Sequence, residues 1–195
     1  MIADSKPENA RSRGLAFRFL YALWLFGILS YFIPPATWSP VSRFSSTRAM
    51  VEEGRLRIDT LAESTGDRAF AHGHWYSDKA PIPALVASVP YAVYRAFDGL
   101  RGGAPRFTAE GTFDLPARHV YVNDSFRKGL YVCSLATAAA GGTALGVLLF
   151  TLLLEMTSPA VAFLASSMTV LGTPILAYST SFYGHVPAGA FLFAA

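Results

Sequence analysis

From Gly129 to Leu154 the chain has no charged side chain, and from Met156 to Ala195 only His185 can carry a charge near neutral pH. Every Lys and Arg lies at or before Lys128. Uncharged apolar runs of about 18 residues or more are the signature of bilayer-crossing helices, because an α-helix satisfies its own backbone hydrogen bonds in lipid. Charged residues are 15% of the chain, against roughly 25% in soluble domains. The sequence therefore reads as an all-α integral membrane protein.

The first expected span runs from Leu15 to Ile33, with Arg18 at its edge and Pro34-Pro35 to end it; proline lacks an amide hydrogen and disfavours helix just before it. The second covers Gly129 to Leu154 and the third Pro159 to Tyr178, joined by Glu155-Met156-Thr157-Ser158. A fourth apolar segment starts near Val186 and stops at Ala195, about half the length a crossing needs. That gives about three full transmembrane helices and a truncated fourth, as in the N-terminal part of a larger protein. The divisions are 1–14, a cytoplasmic N-terminus; 15–35, the first transmembrane helix; 36–128, a large loop; and 129–195, a helical hairpin with the start of a further span. The basic N-terminus also fits a cleaved signal peptide, but the long apolar stretch and Pro34-Pro35-Ala36-Thr37-Trp38 favour an uncleaved anchor.

Charge bias sets the expected orientation. Lys6, Arg11, Arg13 and Arg18 face only Asp4 and Glu8, which favours a cytoplasmic start. Segment 36–128 then lies outside the cytoplasm of an inner (plasma) membrane, on the same side as Tyr183-Gly184-His185. Arg127 and Lys128, abutting the second span on the outside, count against this. A pI near 9.1 suits anionic lipid head groups, whereas no basic, aromatic-interleaved module points to nucleic acid. Cys133, the single cysteine, lies within a span and says nothing of disulfides.

Within the loop, Ser42 to Glu53 reads as a helix stopped by Gly54, and Leu56-Arg57-Ile58-Asp59 as a short extended piece. Ala80 to Phe97 is apolar but interrupted by Pro81, Pro83 and Pro90, which suits a short interfacial or re-entrant helix. Asp98 to Pro116, rich in Gly and Pro, reads as connector. The polar loop Gly73-His74-Trp75-Tyr76-Ser77-Asp78-Lys79-Ala80-Pro81 holds two aromatics, a histidine, an aspartate and a lysine between apolar segments. Trp75 and Tyr76 suit either an interfacial anchor or a substrate wall. His72 and His74, with Asp67 or Asp78, offer imidazole and carboxylate to a divalent metal, or are merely solvated. His185 is either interfacial or functional, since ionisable groups at membrane depth are costly. Gly141, Gly142 and Gly146 suit close helix packing.

A first span, a short helix bearing Arg43-Phe44, the Gly73-to-Pro81 stretch and the apolar run Pro83 to Phe97 together resemble the N-terminal region of GT-C-type membrane glycosyltransferases. Tyr178-Ser179-Thr180-Ser181-Phe182-Tyr183-Gly184-His185 is similar to a motif in bacterial members. The resemblance covers about Leu15 to His185 through short motifs. It implies transfer of a sugar from a polyprenyl-phosphate carrier to an acceptor at the outer membrane face, with the bilayer and the lipid-linked donor as partners. Further helices of a larger protein, or a partner subunit, complete the assembly it implies.

Such chemistry needs a carboxylate to take the acceptor proton and cations on the leaving phosphate. The family places an acidic residue just before the Arg-aromatic pair, but Trp38-Ser39-Pro40-Val41-Ser42 has none. Asp59, Asp67 or Asp78 must then serve, and Asp67 is favoured because Thr65-Gly66-Asp67 makes a tight turn near the histidines. Arg43, Arg48 and Lys79 are the expected phosphate-holding cations, with His74, Tyr76 and His185 around the substrate; a divalent metal cofactor stays open. The competing reading is a non-catalytic multi-span protein, such as a transporter segment or assembly subunit.

Overall fold

The computed structural model describes residues 7–100, 112–114, 119–121 and 124–195. It is mostly helical, at 76%, with eight α-helices and two small hairpins among the described residues. Helix α1 (Pro7–Tyr31) stops just before Pro34-Pro35, as its sequence requires. Helix α4 (Asp124–Ser134) continues through a five-residue π-helical segment (Leu135–Ala139) into α5 (Ala140–Met156). This continuous rod has 33 residues, about 50 Å at 1.5 Å per residue. It begins five residues before the expected Gly129, because its first turns project beyond the apolar run and carry Asp124, Arg127 and Lys128. In its π segment and the turn before it, Ser134 donates to the Leu130 carbonyl at 2.9 Å and Thr137 to that of Cys133 at 2.7 Å. Hydroxyls that bond back in this way compete with the regular ladder.

Among the described residues, two helices are long and apolar enough to cross a membrane, spanning Gly14–Tyr31 and Asp124–Met156. The third expected span is broken: α6 (Pro159–Leu171) has 13 residues, and α7 (Ile175–Thr180) follows a bend at Gly172-Thr173-Pro174. Pro174 removes a ladder donor there, and Thr173 Oγ1 fills part of the gap by bonding the Thr169 carbonyl and the Ile175 amide. Helix α8 (His185–Ala194) covers the fourth apolar segment expected from near Val186.

Helix α1 runs antiparallel to α5 at close range. A Cβ on Gly146 would lie 2.4 Å from Leu25 Cδ2, and one on Gly142 would lie 2.4 Å from Ser179 Oγ and 3.0 Å from Leu29 Cδ1. Gly141 meets Pro187 of α8 in the same way, at 2.8 Å. The rings of Tyr21 and Phe150 close the far end at 4.7 Å. Leu25 and Leu29 are wholly buried, while Phe19, Leu20, Val161 and Met168 stand on the outside, half or more exposed.

A second unit sits over the Tyr31 end of this bundle. Helix α2 (Trp38–Glu53) starts before the expected Ser42 and stops at Gly54, whose φ of 65° is the left-handed conformation glycine adopts freely. The expected extended piece at Leu56–Asp59 is instead an irregular bend into a 3-10 turn (Asp59–Ser64), with the Ile58 amide donating to the Trp75 carbonyl at 2.7 Å. The Gly73-to-Pro81 stretch is not a plain loop. Strands β1 (Arg68–Ala71) and β2 (His74–Ser77) form a hairpin closed by His72 and Gly73, at φ 50° and 79°. Positive φ at both central residues marks the type I′ turn that fits strand twist.

Helix α3 (Ile82–Leu100) carries Pro90 inside it and leaves Ile82, Leu85, Val89, Val93 and Phe97 exposed along one side. The connector expected over Asp98 to Pro116 lies largely outside the described residues; within it Thr112–Asp114 (β3) pairs with His119–Tyr121 (β4). The unit's core is Val41, Phe44, Tyr91, Phe126, Leu130 and Phe182. Phe44 meets the rings of Tyr91 and Phe126 edge-on at 5.1 and 4.7 Å, over Gly129, where a Cβ would collide with Phe44 at 2.5 Å. Phe182, from the α7–α8 turn, thus inserts into the core of the upper unit and fixes the two units together.

Candidate functional site

Strand pairing builds the site. Arg68 pairs with Ser77, so the next residues outward, Asp67 and Asp78, leave the hairpin side by side. Lys79 Nζ lies between them, 3.0 Å from Asp67 Oδ2 and 3.2 Å from Asp78 Oδ2. The hairpin base is seated on α2: Ser42 Oγ donates to the Asp67 carbonyl at 2.6 Å and meets Ser77 Oγ at 2.6 Å. Thr65 Oγ1 donates to the Trp38 carbonyl at 3.0 Å and accepts from the Asp67 amide at 3.1 Å. Gly66 must be glycine here, since a Cβ would strike the Trp38 ring at 2.7 Å. The tight turn expected at Thr65-Gly66-Asp67 is therefore a docking point that sets the Asp67 carboxylate.

Arg43 comes up from α2 beneath this base. It is 6% exposed, donates to Ser39 Oγ at 2.5 Å and places its guanidinium 5.7 Å from the centroid of Tyr183. Its Nε is buried with no hydrogen-bond partner, an uncommon state for a cationic donor. Burial lowers the Arg43 pKa, and the fields of Tyr183, Asp67 and Asp78 oppose it; a guanidinium stays protonated regardless. For Lys79, burial works against the charge, but hydrogen bonds to Asp67 and Asp78 outweigh it and raise the pKa. Lys79 is thus in contact with two carboxylates, whose fields also reach the buried Arg43.

Tyr183 carries the far wall. Its ring stacks on His185 at 6.1 Å, and Tyr178 meets His185 edge-on at 5.0 Å. Gly184 abuts Pro83, where a Cβ would lie 2.8 Å from Pro83 Cγ, so this turn packs against the start of α3, just after Lys79. His185 is exposed on the outer side of these two rings.

Other expected site residues fall elsewhere. Asp59 accepts from the Trp75 amide at 2.7 Å and His74 Nδ1 at 2.9 Å, while Arg57 NH1 reaches His74 Nε2 at 3.0 Å. The Trp75 amide foremost, then His74, hold Asp59 below the ordinary carboxylate pKa. Asp59 and His74 therefore brace the 3-10 turn to β2 and lie in a cluster apart from Lys79. Tyr76, half-buried opposite Ala69, is on the strand face opposite Ser77.

Arg48 is five residues from Arg43, about 140° around the helix. It faces Glu52 at 3.0 Å in a network with Tyr91, which donates to Glu52 at 2.5 Å, and Arg95, at 3.2 Å. Its charge is engaged beneath α3 and not at the Lys79 cluster. His72 is exposed at the hairpin tip, and among the described residues no three His, Cys, Asp or Glu side chains are arranged to hold a metal ion. Tyr183, Ser42 and Ser77 were not singled out as site residues from the sequence; only the tertiary contacts bring them in.

The arrangement can take an anion on Arg43 and Lys79 and present a carboxylate beside it. Comparison with models of known protein families, with curated proteins and with solved structures finds no match.

Proposed function

We propose that this chain is an integral membrane protein, with segment 36–128 on the extracytoplasmic face of the plasma (inner) membrane. We further propose that it acts as a glycosyltransferase on a polyprenyl-phosphate-linked sugar. The apolar exterior of the bundle supports the membrane reading, since large exposed apolar faces mark lipid or protein contact. In this reading α1 and the α4–α5 rod cross the bilayer, α6 and α7 make a broken third crossing, and the exposed stripe of α3 rests in the head-group region.

One observation carries the sugar-transfer reading: Lys79 sits between Asp67 and Asp78, whose fields reach the buried Arg43 on the Tyr183 ring, at the junction of the bundle and the upper unit. A lipid phosphate entering there draws Lys79 and Arg43 onto its oxygens and releases one carboxylate from Lys79. The acceptor hydroxyl then attacks the anomeric carbon, and the bond from that carbon to the phosphate oxygen breaks. The electron pair leaves on the phosphate, where both cations stabilise it. The hydroxyl proton passes to Asp67, whose backbone is fixed by Thr65 and Ser42. Tyr183 and His185 form the wall on which the sugar rests.

A second reading has its own support. The clusters at Asp59 and Glu52 are braces, and the Lys79 cluster could be a third brace in a non-catalytic membrane protein. The full chain in proteoliposomes, supplied with a labelled polyprenyl-phosphate sugar and acceptor extract, separates the two. Enzymic transfer predicts turnover that falls about a hundredfold or more in Asp67→Asn with little change in thermal stability. Turnover absent from wild type, with Asp67→Asn and Lys79→Gln lowering the melting temperature, establishes the brace.

A further inference from the structure

Away from the Lys79 cluster, a groove of about 760 Å3 lies between the chain leaving α1 and the first turns of α4. Tyr31 ends α1, and the chain leaving it, Ile33 to Ala36, runs along the part of α4 that carries Arg127 to Val132. Tyr131 ties them directly, its hydroxyl donating to the Ser30 carbonyl at 3.2 Å. If the two helices cross a bilayer, the groove runs from the end of the apolar stretch of α1 to the first charged turn of the rod, across the boundary between acyl chains and head groups.

The lining matches that boundary. Arg127 and Lys128 stand at the mouth with side chains 73% and 64% exposed. Both pair with Asp124, at 2.5 and 2.7 Å, so the trio keeps one net positive charge and several unused N–H donors. Tyr31 and Tyr94 flank the same space, while Ile33 and Leu130 supply an apolar wall. Tyrosines at the rim and cations reaching up from a helix end are what the head-group region selects. Polar at its mouth and apolar along its wall, the groove is complementary to an amphipathic anion.

We infer that this groove holds an anionic glycerophospholipid, its phosphate between Arg127 and Lys128 and an acyl chain against Ile33 and Leu130. The inference rests on the bilayer reading and is independent of sugar transfer.

The test is native mass spectrometry of the full chain released from nanodiscs of equal phosphatidylglycerol and phosphatidylcholine. Wild type retains phosphatidylglycerol about fivefold to tenfold over phosphatidylcholine, given the attraction of each basic residue for an anionic lipid surface. Arg127→Gln with Lys128→Gln brings the two lipids to parity, Asp124→Asn raises the preference by freeing both cations, and Ile33→Trp lowers retention of both lipids. Helicity by circular dichroism stays at the wild-type value for these exposed or rim positions. Equal retention in wild type, or a preference that survives the double substitution, overturns the inference. So does displacement by glycerol phosphate at the same concentration. A chain that leaves the nanodisc for water overturns the bilayer reading as well.

Discussion

Replacing Glu52 with glutamine tests whether the ion network under α3 is a structural joint. Glu52 accepts from Arg48 Nε at 3.0 Å, Arg95 Nε at 3.2 Å and the Tyr91 hydroxyl at 2.5 Å. Its side chain is 13% exposed, and that of Arg48 only 6%. At an effective dielectric of about 20 each pair is worth about 5 kcal/mol gross, most of it offset by desolvation. Removing one partner of a buried pair costs about 3–5 kcal/mol, because the other charge stays buried. Arg95 keeps Asp98 at 2.9 Å, which places the expected loss near the lower end, about 3 kcal/mol. For a chain of this length that lowers the melting temperature by about 6–12 °C, read by circular dichroism in detergent. The neighbouring Glu53→Gln, which loses a pair with Arg55 at a half-exposed site, costs about 1 kcal/mol or less. A Glu52→Gln melt within about 1 °C of wild type refutes the reasoning.

Three further outcomes follow from the packing. Gly146→Leu drives a side chain into Leu25, where even a Cβ would lie at 2.4 Å, and lowers stability by about 1–3 kcal/mol in the same melt. Tyr91→Phe leaves Glu52 short of one donor and costs about 1 kcal/mol, as a smaller shift than Glu52→Gln. Asp59 has its pKa lowered, first by the Trp75 amide. Its stabilisation is therefore present above the unfolded carboxylate pKa near 4 and disappears as pH falls through the lower folded value. The protection of the Trp75 amide relative to its intrinsic exchange rate should fall in that acid range, and Asp59→Asn should lower it already at pH 7.

Much of the bundle was legible because one physical rule governs it. Runs without charge gave α1 and the α4–α5 rod, Pro34-Pro35 gave the end of α1, and Gly54 the end of α2. Gly141, Gly142 and Gly146 lie where backbones approach, as small residues in an apolar helix suggest. The same rule concealed the break between α6 and α7: Gly172 and Pro174 were present, but hydropathy does not register a bend.

The hairpin was missed for a different reason. Arg68–Ala71 puts Ala and Phe on faces with little burial, and its turn uses His72, not the usual glycine or asparagine, at positive φ. Of the candidate site residues, Lys79 contacts Asp67 and Asp78, while Arg43 and His185 each pack on Tyr183. Arg48, Asp59 and His74 join neither group, because their partners are set by helix phase and cross-strand register. The tertiary insertion of Phe182, which delivers Tyr183 to Arg43, has no signature in local sequence.

The central claim is that Arg43 and Lys79 form a site for a lipid-linked phosphate. Titrating the full chain in detergent with a polyprenyl monophosphate, against the matching polyprenol, tests it most directly. Charge-assisted hydrogen bonds worth about 1.5–3 kcal/mol each predict binding of the phosphate tighter by about tenfold or more. That difference should disappear in Lys79→Gln and shrink strongly in Arg43→Gln. Equal affinity for phosphate and alcohol, or a phosphate preference untouched by either substitution, contradicts it.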